Sequence, residues 1–216
     1  MDCKATVKTG ELSRGGTARS ETKAQDHDLE WSGKYVPLGI LDQNRGHLYI
    51  RFGESFKTSD FMADGLESWW EQLDPERKAA ANQIQIKMDN GPESSGRRTQ
   101  FLKRMVSWSD AIGKTIHLVY YPPYHSKYNP IERCWGVLEM HWNGALLICR
   151  KTMWGWAKTM TWKGKHPTVD FTETVYEKGI SLNNKEMKLI EARLERSPSL
   201  PKWDIFIRPL PVKSMA

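Results

Sequence analysis

Several protein classes are excluded by what this 216-residue chain has little of. Its three cysteines, Cys3, Cys134 and Cys149, are too few for a stapled framework and form no CxxC knuckle. That rules out a disulfide scaffold and a cysteine zinc site, and it suits a reducing, intracellular setting. No apolar run approaches the roughly 20 residues that a membrane helix requires. The opening MDCKATVKTG lacks the apolar centre of a signal peptide. Internal repeats and low-complexity tracts are absent. With 32 Lys and Arg against 26 acids, the formal charge is +6, a balance that suits a polyanionic partner without identifying one. Tryptophan is the residue in excess, at ten, and most of these sit among other apolar residues, which favours core packing over stacking on bases.

The most informative stretch is TIHLVYYPPYHSKYNPIERCWGVLEMHW, residues 115–142. It opens with an apolar, β-branched and aromatic run, Thr115 to Tyr121, with the pattern of a buried strand. Pro122 and Pro123 end that strand because neither can donate to a ladder. Asn129-Pro130 then supplies a helix N-cap with proline at the first helical position. Ile131, Cys134, Trp135 and Leu138 follow at helical spacing, and Glu132 lies off that stripe in the first turn. A second acid is presented in a comparable way. Residues 83–89, QIQIKMD, alternate with period two and deliver Asp89 to an Asn90-Gly91-Pro92 turn. An Asp-Asn-Gly string also starts turns with no further role. An acid at the end of a strand nevertheless needs a reason, because unpaired carboxylates are costly to bury.

Elsewhere, Val36–Leu41 and Leu48–Phe52 flank a turn at 42–46 and predict a hairpin. A helix capped by Thr58 or Ser59 is expected to run to about Leu73, with Asp60 and Asp64 placed to suit its dipole. Further helices are predicted over 97–112, from about Lys151 to Trp162, and from Lys185 to Glu195. The last stretch, Pro201 to Pro211, has an extended, proline-flanked pattern. Residues 10–34 have the composition of a loop and contain Asp26-His27-Asp28. That triplet suggests a metal cluster, although neighbours in a strand point to alternate faces.

DNGPE, the 42 residues between Asp89 and Glu132, and PPYHSKYNPIERCWG together resemble the second and third acids of DDE-superfamily insertion-sequence transposases. The nearer likeness is to the Rhodopirellula-type transposase DDE domain. It continues through WNGALL, MTWKGKHP, Tyr176-x-x-Gly179-Ile180 and PKWDIFIRPL, and so covers nearly the whole chain. The resemblance implies an α/β, RNase H-like mixed sheet flanked by helices, with an incomplete first strand. It assigns residues 1–165 to the catalytic core and 166–216 to a C-terminal extension packed on that core.

By the same resemblance the first acid is Asp2, in the Asp2-Cys3-Lys4 string, with only Met1 before it. The chain would then be an N-terminally truncated DNA transposase domain without an upstream helix-turn-helix module. The implied catalytic and metal-holding acids are Asp2, Asp89 and Glu132, with two Mg²⁺ or Mn²⁺ ions, since hard oxygen ligands favour these metals. Asn90, His125, Lys127, Asn129, Arg133 and Asp28 are the weaker candidates for supporting an acid or holding substrate. His125 fits a surface or packing role equally well. The Arg97–Arg104 cluster, with Lys163 and Lys165, would follow a nucleic-acid backbone, although such a charge run is commonly only solvated. Expected partners are transposon ends, target DNA and at least a second copy of the chain, with no membrane, in the nucleoid-associated cytoplasm of a prokaryotic cell. Two other readings remain open: a defective remnant that binds DNA or other subunits without cleaving, and a nuclease of the same fold without strand transfer.

Overall fold

The computed structural model describes residues 1–19, 21, 32–122, 125 and 128–211. In chain order the elements are β1 (Asp2–Cys3), β2 (Val7–Thr9), β3 (Gly33–Asp42), β4 (His47–Gly53), α1 (Ser59–Glu71), α2 (Pro75–Ala80), β5 (Gln83–Asp89), α3 (Thr99–Ile112), β6 (Thr115–Tyr121), α4 (Pro130–His141), α5 (Arg150–Thr159), β7 (Thr168–Thr172), α6 (Asn184–Glu191), β8 (Leu194–Arg196) and β9 (Asp204–Ile207). They form two mixed sheets and six helices among the described residues, an α/β architecture consistent with an RNase H-like fold. The chain divides into two units, residues 1–56 with 130–175, and residues 57–129 with 176–216. Both units draw on segments from either side of residue 165.

In the first unit, β3 and β4 form the predicted antiparallel hairpin, with Leu38 opposite Arg51 and Asp42 opposite His47. Its turn is closed by the Asn44 backbone N–H, which donates to Asp42 Oδ1 at 3.1 Å. β1 and β2 pair antiparallel to β3, and β7 pairs parallel to β4. Helix α4 follows from its sequence pattern: Pro130 needs no N–H at a helix start, and Ile131, Cys134, Trp135 and Leu138 bury one face. That face joins Leu48, Ile50, Phe52, Trp142, Met153 and Met160 in one core. Side chains of this size contribute about 1.5–3 kcal/mol each when fully buried.

In the second unit, β5 and β6 run parallel with Asp89 opposite Tyr121, and β9 and then β8 extend the sheet antiparallel. Thr58 caps α1 by accepting from the Phe61 N–H at 3.1 Å. Phe61, Met62, Leu66 and Trp70 form the buried stripe of α1, and Phe101, Met105 and Trp108 that of α3. Gly113, at φ 65°, ends α3 in the left-handed conformation that a glycine adopts without strain.

Three elements differ from the expectation. The last helix stops at Glu191 rather than Glu195, and Leu194–Arg196 becomes edge strand β8. Arg193 is held there by two hydrogen bonds to Asp110, at 2.7 and 3.0 Å, which draws the chain out of the helix. The tail is extended, as expected, and its β9 pairs with both β6 and β8. The stretch after His166-Pro167 supplies β7, which the sequence pattern does not announce.

Candidate active site

The first unit positions Asp2 and Glu132. Asp2 lies opposite Gly39 in the β1–β3 pair. A Cβ on Gly39 would come within 2.6–2.8 Å of the Trp135 ring and Ile131 Cδ1, so only glycine lets α4 approach β3 this closely. The Trp135 indole N–H then donates to Asp2 Oδ2 at 3.3 Å. Glu132 is half-buried and stands in the first turn of the same helix, three residues before Trp135. A single tryptophan therefore links the strand that carries one acid to the helix that carries another.

One turn further along α4, Glu139 accepts from Lys4 Nζ and from the Trp142 indole N–H, both at 2.7 Å. Burial alone would raise the Glu139 pKa, but these hydrogen bonds and the nearby Lys4 and Arg14 charges hold it below its ordinary value. Burial pushes the Cys134 thiol up to about 12, so it is a neutral core group and no nucleophile.

The second unit positions Asp89. The C-terminal ends of β5 and β6 lie side by side, and Asp89 closes β5 with its Oδ1 buried and without a hydrogen-bond partner among the described residues. Such an oxygen costs free energy unless a further partner satisfies it. Asn90 is exposed, and its Oδ1 accepts from the Gly96 N–H at 3.1 Å, which closes the 90–96 turn. The same turn is held by Tyr120, whose hydroxyl donates to the Ser94 carbonyl at 2.8 Å. An open cavity of about 360 Å³ is lined by Lys57, Ser59, Glu93, Arg98 and Lys178 among others.

The remaining sequence candidates divide clearly. His125 is exposed and stacks on Tyr128 at 5.7 Å between ring centroids. Asn129 is buried, with 1% exposure, just before α4. Arg133 is exposed on α4. Lys127 and Asp28, with Asp26 and His27, lie outside the described residues. Among the described residues, no group of three or more His, Cys, Asp or Glu is arranged to hold a metal ion. A carboxylate oxygen is the donor type that suits a hard divalent cation, and Asp89 Oδ1, buried and without a partner among the described residues, has that chemistry.

Two members of the Arg97–Arg104 cluster, Arg104 and Arg98, have partners within their own unit. Arg104 donates to Asp60 at 2.8 Å, Asp64 at 2.5 Å and Glu67 at 2.9 Å. Burial alone would lower its pKa, and the three carboxylates outweigh that and raise it. Arg98 donates to the Ile180 carbonyl at 3.1 Å. Asp60 and Asp64 thus anchor an arginine as well as suiting a helix dipole. The sequence reading missed this network, Trp135 and Gly39, because each depends on a partner distant in the chain.

The family model described as Rhodopirellula transposase DDE domain matches residues 1–209. No curated protein and no solved structure matches the chain. Among the described residues no helix is long and apolar enough to cross a membrane.

Proposed function

Because the chain belongs to the Rhodopirellula transposase DDE domain family, we propose that it carries the metal-dependent DNA cleavage and strand-transfer chemistry of a transposase, with Asp2, Asp89 and Glu132 as its acids. The observation that carries this reading is Asp89, an acid delivered by a fully paired strand with one oxygen buried and unpartnered. Magnesium or manganese ions held by the three carboxylates would supply charge stabilisation at the transferring phosphate and activation of the attacking oxygen.

The chain's own part is positional. The β5–β6 ladder fixes Asp89, the Trp135 N–H fixes one oxygen of Asp2, and the first turn of α4 fixes Glu132. Oriented carboxylates avoid the reorganisation that free acids would undergo during reaction. No thiol or hydroxyl nucleophile enters this scheme. Hydrolysis at a transposon end frees a 3′-hydroxyl, and that hydroxyl attacks target DNA in a second transesterification. His125, Asn129 and Arg133 would hold substrate phosphate or support the loop before Glu132. The partners are transposon-end and target DNA, and a second copy of the chain on paired ends.

One observation favours a second reading. β1 has only two residues, Asp2 and Cys3, so the first acid rests on a short ladder. A protein that binds DNA or other subunits without cleaving would follow if that ladder does not hold Asp2. The test is nicking of supercoiled plasmid with Mn²⁺, beside Asp89→Asn, Glu132→Gln and an EDTA control, with circular dichroism on every sample. Nicking by the wild-type chain, abolished by both substitutions and by EDTA, supports the catalytic reading. A folded but inert wild-type chain sinks it in favour of the binding reading.

A further inference from the structure

The thirty residues between Glu139 and Asp170 contain no Asp or Glu, yet they hold Arg150, Lys151, Lys158, Lys163 and Lys165. All five cations are exposed, on α5 and the turn that follows it. Arg150 is drawn to Glu173 at 2.5 Å and Glu54 at 3.4 Å, which compensates its charge. Lys151 and Lys158 stand seven residues apart on one face of α5, with exposed Gly155 between them at the i+4 position. Nothing lies within 4 Å of where a Gly155 Cβ would be, so the ground between the two lysines is low and open. Lys158 Nζ is held over the Trp154 ring, 3.7 Å from its centroid, which fixes the amine while leaving its charge.

A second, separate observation concerns the turn. Trp162 and Lys165 exchange both backbone hydrogen bonds, at 2.8 and 3.0 Å, around Lys163 at φ 49° and Gly164 at φ 76°. Positive φ at both central residues is the geometry that Asn-Gly fills without strain. Among the described residues, Lys163 is the one non-glycine residue with positive φ. A lysine at an exposed position whose backbone conformation disfavours it points to a use for its charge.

We propose that Lys151, Lys158 and Lys163 form a surface for the phosphate backbone of duplex nucleic acid. The inference takes the class of partner from the function proposed above, and it does not depend on the three acids. A sugar-phosphate backbone matches the surface because the apolar side of α5, Met153 and Ala157, is buried in the core. The helix therefore has no apolar face to insert among lipid chains. The surface replaces the α3 cluster as the main backbone contact, since Arg98 and Arg104 are committed within their own unit.

The test is fluorescence anisotropy with a 30-base-pair duplex of arbitrary sequence, in EDTA, over a series of salt concentrations. The Lys151→Gln/Lys158→Gln/Lys163→Gln protein is expected to bind at least about tenfold more weakly at near-physiological salt, with a salt slope smaller by about 2–3. Arg97→Gln/Lys103→Gln, one residue just before α3 and one on it, is the control and should keep a slope within about 0.5 of wild type. Lys163→Asn adds a readout with opposite signs: Tm should rise by about 1–3 °C while duplex affinity falls. An unchanged slope in the triple variant, or a Lys163→Asn protein stabilised with undiminished affinity, overturns the proposal. So does a wild-type chain that binds phosphatidylserine vesicles but no duplex. If wild-type protein fails to nick plasmid while the slope falls as expected, the catalytic reading fails and this surface stands.

Discussion

Asp2 and Asp89 are both acids delivered by strands, but they are held by opposite means. Asp89 closes a seven-residue strand paired along its whole length with β6, and one of its oxygens is buried without a partner. Asp2 sits in a two-residue strand, and an indole N–H donates to its carboxylate. At Asp89 the backbone fixes the position and the side chain adds a cost. At Asp2 the backbone supplies little, and a tryptophan seated on a glycine adds a hydrogen bond to the carboxylate. The first arrangement is robust to losing its carboxylate, whereas the second fails when its packing fails.

The sharpest way to break the Asp2 side is Gly39→Val. The added atoms would overlap the Trp135 ring and Ile131, both at the centre of the first unit's core. Overpacking of this kind costs about 1–3 kcal/mol, and the absence of a flexible side chain to yield places this case near the upper end. Thermal unfolding should then fall by roughly 4–12 °C. A melting point within about 1 °C of wild type would show that α4 does not lie on β3 as described.

A milder pair of substitutions sharpens the contrast through opposite signs. Asp89→Asn replaces a buried unpartnered carboxylate oxygen with a neutral amide and should raise stability by about 1 kcal/mol while abolishing metal-dependent nicking. Trp135→Phe keeps most of the ring and removes the N–H that Asp2 accepts, so stability should fall by about 1 kcal/mol. Urea titration of both proteins beside wild type measures these changes directly. Two destabilised proteins would mean that the Asp89 oxygen has a partner in solution, and the contrast between the acids would collapse.

The legibility of the chain follows the same division. QIQIKMD and TIHLVYY have the observed strand bounds because period-two alternation and an unbroken apolar run are local signals. Asn129-Pro130 marks the start of α4 for the same reason. Strand β7 was not legible, because TVDFT becomes a strand only by lying parallel to β4, more than a hundred residues earlier. Asp60 and Asp64 suggested a helix dipole, whereas their partner Arg104 lies forty or more residues on. Trp135 looked like ordinary core on α4 spacing, and its bond to Asp2 crosses 133 residues. The family resemblance named the candidate acids; packing shows what lies against them.

The smallest effect probes the support beneath α4. Lys4 and Glu139 tie the residues after β1 to the helix, and the Glu139 pKa is held below its ordinary 4.5. A depressed carboxylate pKa means that the folded state prefers the ionised form. The contribution is fully present above the unfolded pKa, and it is lost as pH falls through the folded value. Stability measured by urea titration should therefore differ between wild type and Glu139→Gln at pH 7. The difference should shrink steadily as pH is lowered below about 4.5. Glu139 is 41% exposed, so solvent screening keeps the difference at pH 7 below about 1 kcal/mol. A gap that stays constant down to pH 3 would assign the effect to the Trp142 hydrogen bond rather than to the charge. The short segment carrying Asp2 would then be tied to α4 by Trp135 and not by the ion pair.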